Sequence, residues 1–180
     1  MSAKYPCYYV SGNHEIWSDK ADDFKDILAS YGVSVLEGTA ETLEVGGEKI
    51  RISGIDDPET DRYPSRSAPY ATQIRRLSVS TDNEVFTVLL SHRPERINEL
   101  LPLRPDLVLS GHAHGGQWRL PVIMENGLLA PNQGLFPEYT SGQYVFEETA
   151  LIVSRGLARE STRIIPRIFN NPELVIITVQ

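Results

Sequence analysis

Three short runs of apolar, β-prone residues each end at a glycine or serine with a histidine just beyond, and this recurrence restricts the architecture more than any other feature of the chain. Cys7-Tyr8-Tyr9-Val10 leads into Ser11-Gly12-Asn13-His14. Val85 to Leu90 leads into Ser91-His92, and Leu107-Val108-Leu109 into Ser110-Gly111-His112-Ala113-His114. Continuous apolar runs suit strands buried on both faces of a sheet. Loops beyond the ends of such strands are where α/β sheets assemble their sites. All four histidines of the chain fall there.

The segments between these runs alternate in type. Asp19 to Tyr31 predicts a helix, with Phe24, Ile27, Leu28 and Tyr31 on its apolar face and Gly32 as C-terminal cap. Val33 to Leu36 predicts a short strand. Thr42 to Val45 and Lys49 to Ser53 flank Gly46-Gly47, a hairpin signal. Asp56 to Ala68 is polar and proline-containing, hence a loop. Pro69 to Leu77 predicts a helix with proline in its first turn, and Pro94 opens a shorter one reaching about Leu101. Glycine and proline are dense from Gly111 to about Gly142, and so long an irregular stretch points to function. Tyr144 to Phe146, Leu151 to Val153 and Leu174 to Val179 are expected to close the chain as strands. The mixture predicts α/β layers with a mixed sheet, or two stacked sheets, in one domain over residues 1–180.

Composition narrows the function classes. The formal net charge of −7 has the wrong sign for a protein that holds nucleic acid through its phosphates, so no nucleic-acid partner is expected. Acidity leaves phosphate substrates open, because bound divalent metals reverse the local charge. The single cysteine, Cys7, precludes a disulfide framework within the chain and reads as a small buried hydrophobe. No apolar run reaches signal-peptide or membrane-span length, so the sequence as written predicts a soluble, cytoplasmic protein.

The histidine-bearing turns carry the chemistry. In an extended segment, the spacing of His112 and His114 would project both imidazoles to one side, toward one metal or two neighbouring ones. Neutral imidazole nitrogen suits zinc, iron and manganese, and Asn13 can add a hard carbonyl oxygen.

Gly12-Asn13-His14-Glu15, then Ser91-His92, then Gly111-His112-Ala113-His114-Gly115-Gly116-Gln117 resemble, in that order, the later signature motifs of the calcineurin-like metallophosphoesterase superfamily. Gly116-Gln117 followed by Leu120-Pro121, with the C-terminal Pro166-Arg167-Ile168-Phe169-Asn170-Asn171-Pro172, is similar to its bacterial subgroup of YkuE- and YaeI-type phosphodiesterases. The resemblance implies an αββα sandwich with mixed sheets and a hydrolase acting on a phosphodiester or phosphomonoester. It implies two divalent metals, manganese, zinc or iron, that polarise phosphoryl oxygens and activate water. By the same resemblance Asn13, His92 and His112 match ligands of one metal, His114 a ligand of the other, and His14 the acid/base beside the leaving group. The last role fits an imidazole that titrates near neutrality.

The family's upstream Asp-x-His and Gly-Asp-x-x-Asp motifs have no counterpart here, since the eleven residues before Gly12 contain neither aspartate nor histidine. The resemblance therefore reads as N-terminally truncated, and the first strands of the usual fold are expected to be lacking. One metal keeps three ligands and the other only His114, so one metal or none is expected in place of two. An uncovered sheet edge would call for a homodimer or a separate N-terminal chain. Subgroup members are often membrane-associated or exported through an N-terminal segment. Two functions follow: a metal-dependent phosphoesterase, impaired by the missing motifs, or a non-catalytic metal-binding or interaction scaffold. Asp56-Asp57 reads as a turn or cap, Glu15 as structural, and Arg93 as structural with phosphate contact as the alternative. Trp17 reads as core, while Phe136, Tyr139 and Tyr144 read as loop packing, and Arg155, Arg159, Arg163 and Arg167 as solvated surface.

Overall fold

A computed structural model describes residues 2, 4–63, 65–79, 84–120, 122–158 and 165–179. In chain order the elements are β1 (Tyr8–Tyr9), α1 (Asn13–Trp17), α2 (Ala21–Ser30), β2 (Ser34–Val35), β3 (Thr39–Val45), β4 (Glu48–Ile55), α3 (Tyr70–Val79), β5 (Phe86–Ser91), α4 (Ile97–Leu100), β6 (Leu107–Ser110), β7 (Leu129–Ala130), β8 (Gly134–Leu135), β9 (Gly142–Phe146) and β10 (Thr149–Val153). Short 3-10 turns cover Pro58–Asp61, Pro94–Arg96, Leu101–Leu103 and His114–Gly116.

Gly46-Gly47 turns β3 back on β4 as a hairpin, with Val45 opposite Glu48. Both glycines have positive φ, the backbone such a tight turn requires. The hairpin opens a six-stranded sheet of order β3-β4-β5-β6-β10-β9. The four central strands run parallel, and β3 and β9 are antiparallel edges. Because β4, β5, β6 and β10 point the same way, their carboxyl ends deliver Asp56, His92, His112 and Arg155 to one rim.

Alternation along each strand divides the core in two. Leu89, Val108, Leu151 and Val153 face α3 and α4, where Tyr70, Leu77, Ile97 and Leu100 complete a fully buried cluster. Each such side chain contributes roughly 1.5–3 kcal/mol. Val88 and Leu107 face the other side, together with the half-buried Leu90, Leu109 and Ile152. Among the described residues, only the β1–β2 ribbon and its flanking residues form a second sheet layer there. An open cavity of about 280 Å³ lies between Tyr8, Tyr9 and Val10 on one side and Leu90 and Leu109 on the other. The architecture is thus mixed α/β with a mixed sheet, as expected.

Several local expectations are corrected. Cys7 to Val10 is not an interior strand: β1 is two residues long and half-buried, and Cys7 is a half-buried free thiol. A helix is present within Asp19 to Tyr31, but it buries Ala21 and Lys25 and leaves Phe24, Ile27 and Tyr31 exposed. The reason is ionic. Lys25 is drawn inward to Glu37 at 2.6 Å and Asp56 at 2.8 Å, which turns the apolar stripe outward. Residues 174–179, expected as a strand, belong to no regular element. Among the described residues, no helix is long and apolar enough to cross a membrane.

Candidate metal centre

The site is assembled from the β1–α1 turn, the ends of β5 and β6, and the β7–β8 turn. Asp56, just past β4, accepts from the Ser11 hydroxyl at 2.5 Å while pairing with buried Lys25. This ties the residue before Gly12 to the main sheet. Gly12 then passes so close to His92 that a Cβ on it would lie 2.9 Å from the ring's Cε1 and Nε2. Only glycine fits there. Glu15 Oε2 accepts from the Gly12 N–H at 2.9 Å and caps α1, the structural role read from the sequence. Asn13 is consequently fixed at the start of a helix, 3% exposed.

Asn13 Oδ1 lies 3.1 Å from His92 Nε2 and 3.1 Å from His112 Nδ1. The two imidazoles meet edge to face, with centroids 5.0 Å apart. Burial is the leading cause that pushes His92 down to about 3, helped by the charges of His112 and Arg93. Burial also lowers His112. Both rings are therefore neutral at pH 7, each with one N–H and one lone pair. His112 has an acceptor oxygen at each ring nitrogen, Asn132 Oδ1 2.7 Å from Nε2 and Asn13 Oδ1 3.1 Å from Nδ1, and one proton to give; the shorter contact assigns it to Nε2. Its single proton is spent there, so Nδ1 presents a bare lone pair to Asn13 Oδ1, itself an acceptor. Two acceptors at hydrogen-bond distance with no proton between them are what a cation would reconcile. The spacing agrees, because donors about 2.1 Å from a common ion stand roughly 3.0–3.4 Å apart.

Asn132 was not singled out by sequence reasoning. It occupies the β7–β8 turn with φ of 61°, a left-handed conformation that asparagine tolerates. Its only sequence signal is the Pro-Asn-x-Gly turn at Pro131–Gly134. Glu95 approaches the same imidazole, with Oε1 3.9 Å from His112 Nε2.

The expectation of an extended His112-Ala113-His114 segment does not hold. His112 and His114 have φ of 60° and 51°, and the left-handed run continues through Gly115, Gly116 and Gln117. Projection of both rings to one side by strand periodicity is thus not the reason they come near. The His114 ring lies by Gln117, whose Nε2 is 3.3 Å from Nδ1, and burial first, then His112 and Arg167, push it down to about 4. His14, next to Asn13 in sequence, is exposed. The Trp17 ring lies 5.3 Å from its ring, tilted by 57°, and is 48% exposed, so Trp17 is not core.

Neither Asp56 nor Asp57 joins the donor set. Asp57 is fully buried, with both carboxylate oxygens 2.8 Å from the Arg93 guanidinium, and it also caps the 3-10 turn by accepting from Glu59 N at 3.0 Å. Arg93, with Glu59 as a further partner at 3.1 Å, is held in a buried ionic network, which supports its structural role. Tyr139 and Tyr144 meet edge to face and pack against the core, while Phe136 is exposed. Arg155 and Arg167 are half-buried, and Arg155 pairs with Glu173 at 2.6 Å; Pro121, Arg159 and Arg163 lie outside the described residues. Among the described residues, no three His, Cys, Asp or Glu side chains are grouped to hold a metal. The cluster that forms is two imidazoles and an amide.

Comparison with known proteins shows what the chain is similar to. The chain is 30% identical, over its full length, to the uncharacterized metallophosphoesterase YkuE of Bacillus subtilis. It is 28% identical over 96% of its length to an uncharacterized metallophosphoesterase of Aquifex aeolicus. The chain is a relative of the metallophosphoesterases. A transmembrane protein with metallophosphoesterase domain from Danio rerio is a third such relative, 30% identical over 87% of this chain. This metallophosphoesterase relative spans 58%, 60% and 35% of those three proteins. No profile of a known family matches it. Among solved structures, the Thermus thermophilus sulfate thiohydrolase SoxB superposes on 82% of this chain and 27% of its own with a TM-score of 0.53, and at 18% identity this speaks for the fold alone.

Proposed function

We propose that the chain forms a metal-dependent phosphoesterase centre hydrolysing a phosphodiester or phosphomonoester. The observation that carries this reading is the convergence of His92 Nε2 and His112 Nδ1 on Asn13 Oδ1 at 3.1 Å. These three atoms would hold one divalent cation of the manganese, zinc or iron type. When bound, such a cation supplies Lewis-acid polarisation of a phosphoryl oxygen and acidifies water. The chain's own groups do the rest. Asn132 holds the His112 proton on Nε2 and leaves Nδ1 free to coordinate. Burial keeps both rings neutral. His14, exposed beside Asn13, gives its imidazolium proton to the leaving oxygen as the phosphorus–oxygen bond breaks and water's oxygen takes its place. His114, with one imidazole, supports no tight second ion by itself.

A second reading, a non-catalytic metal-binding scaffold, is favoured by one observation. The nearby carboxylates Asp56 and Asp57 are engaged by Lys25 and Arg93, so neither of these two completes the donor set. Hydrolysis of bis(4-nitrophenyl) phosphate, followed together with metal content, separates the two. The enzyme reading expects metal-stimulated turnover that is lost in Asn13→Ala and strongly reduced in His14→Ala. Stoichiometric metal without turnover in the unmodified chain would replace it with the scaffold.

A further inference from the structure

The segment from Pro166 to Pro172 has so far no part in the chemistry, yet it lies against the His112–Gln117 loop. That loop holds an unusual backbone: His114, Gly115, Gly116 and Gln117 have φ of 51°, 64°, 72° and 56°. The run makes one backbone bond of its own, Gln117 N to His114 O at 3.3 Å, and its carbonyls otherwise find donors elsewhere, Arg167 Nη1 reaching His114 O at 3.5 Å. Gly116 O accepts from Leu128 N at 3.0 Å and Gly115 O from Arg119 Nη1 at 3.3 Å. The two ends of the run are held differently. Asn170 Nδ2 donates to His114 O at 2.7 Å and to Gln117 O at 3.1 Å, bridging first residue and last with one nitrogen. Asn170 is 3% exposed. Its other amide atom abuts Gly115, where a Cβ would collide with Asn170 Oδ1 and lie 2.7 Å from Arg155 Cγ. Ile168 N donating to Gln117 O at 3.2 Å, and Arg119 N to Ile168 O at 2.9 Å, bind the segment alongside.

We propose that Asn170 is a positioning residue for the metal loop: its carboxamide clasps the left-handed run at His114 and Gln117 and thereby keeps His112 Nδ1 on Asn13. The mechanical link is short, since Ala113 is buried and Gly116 N bonds back to Ala113 O at 2.9 Å, next to His112. The inference rests on the metal-centre reading for its purpose and on the hydrogen bonds alone for its geometry. A side chain at 170 must donate twice from one atom. Aspartate places an acceptor against two carbonyls, and serine keeps one donor on a shorter arm.

The test compares Asn170→Asp and Asn170→Ser with the unmodified chain and with Asn171→Ala, a change at the exposed neighbour. Three quantities are read: amide hydrogen exchange at Gly116 and Gln117 in metal-free protein, cobalt(II) affinity by spectroscopic titration, and the melting temperature. Protection at Gly116 and Gln117 should fall at least tenfold in Asn170→Asp and less in Asn170→Ser, with Leu89 in the central strand unchanged. Cobalt affinity should fall about 10–100-fold in the same order, with Asn171→Ala at the original value. If Asn170→Asp fails to fold, Asn170→Ser carries the comparison. Unchanged protection in the variants overturns the clasp. Lost protection with cobalt affinity within twofold overturns its role in positioning. An unmodified chain that binds no cobalt sinks the metal reading instead, and the exchange data then judge the clasp alone.

Discussion

Replacing Asp57 by alanine should destabilise the chain by about 4 kcal/mol, although the residue touches none of the proposed metal ligands. Asp57 is fully buried and holds the Arg93 guanidinium through two 2.8 Å bonds, with only Glu59 at 3.1 Å as a further partner. Removing one member of a buried pair leaves an uncompensated charge, which costs roughly 3–5 kcal/mol. Glu59 retains part of the neutralisation, so the low end applies. Loss of the cap to Glu59 N adds about 1 kcal/mol. For a chain of this size each kcal/mol lowers Tm by about 2–4 °C, so the drop should be about 8–16 °C. Asp57→Asn, which can still accept the capping bond, should cost less. The double variant Arg93→Met/Asp57→Leu should recover much of the loss, because replacing both partners removes the orphan charge. Urea titration with m-values measures all three. A cost below about 1 kcal/mol for Asp57→Ala, or additive losses in the double variant, would refute the assignment of Arg93 as a structural cation.

Three further outcomes follow from the same geometry. Asn132→Ala frees the His112 proton to move to Nδ1, and metal affinity should fall roughly 10–100-fold by calorimetry while Tm changes little. Gly12→Ala pushes a methyl group to 2.9 Å from the His92 ring, so metal binding should be lost and stability should drop by about 1–3 kcal/mol, read by titration and denaturant midpoint. Metal-free protein should lose stability as pH falls below about 6.5. His92 and His114, pushed down to about 3 and about 4, stay neutral in the folded chain while the unfolded chain takes up protons. Each such proton is worth about 1.4 kcal/mol per pH unit on the way down, and nothing above pH 6.5. His92→Asn should flatten that slope in pH-dependent unfolding.

The site was legible where the sequence breaks an apolar run with glycine or serine. Gly12, Ser91 and Gly111 mark the turns that bring Asn13, His92 and His112 together. The hairpin at Gly46-Gly47 was legible for the same reason, since backbone geometry there is a property of the residues themselves. What escaped depends on partners distant in sequence. The helix after Asp19 has the expected period but buries Lys25, because Glu37 and Asp56 draw it inward while most of the apolar stripe stays exposed. Leu174 to Val179 has strand composition but pairs with no strand among the described residues. The positive φ of Gly115 and Gly116 could be suspected from glycine, whereas those of His112, His114 and Gln117 carry no such local signal. Asn132 reaches His112 from twenty residues downstream, a relation no local pattern encodes.

Crystals grown with zinc and measured on both sides of the zinc absorption edge test the central claim most directly. A principal anomalous peak should be bonded to Asn13 Oδ1, His92 Nε2 and His112 Nδ1, with His112 Nε2 still donating to Asn132. A peak bonded to His112 through Nε2, a principal peak at other residues, or no peak at millimolar zinc would contradict it.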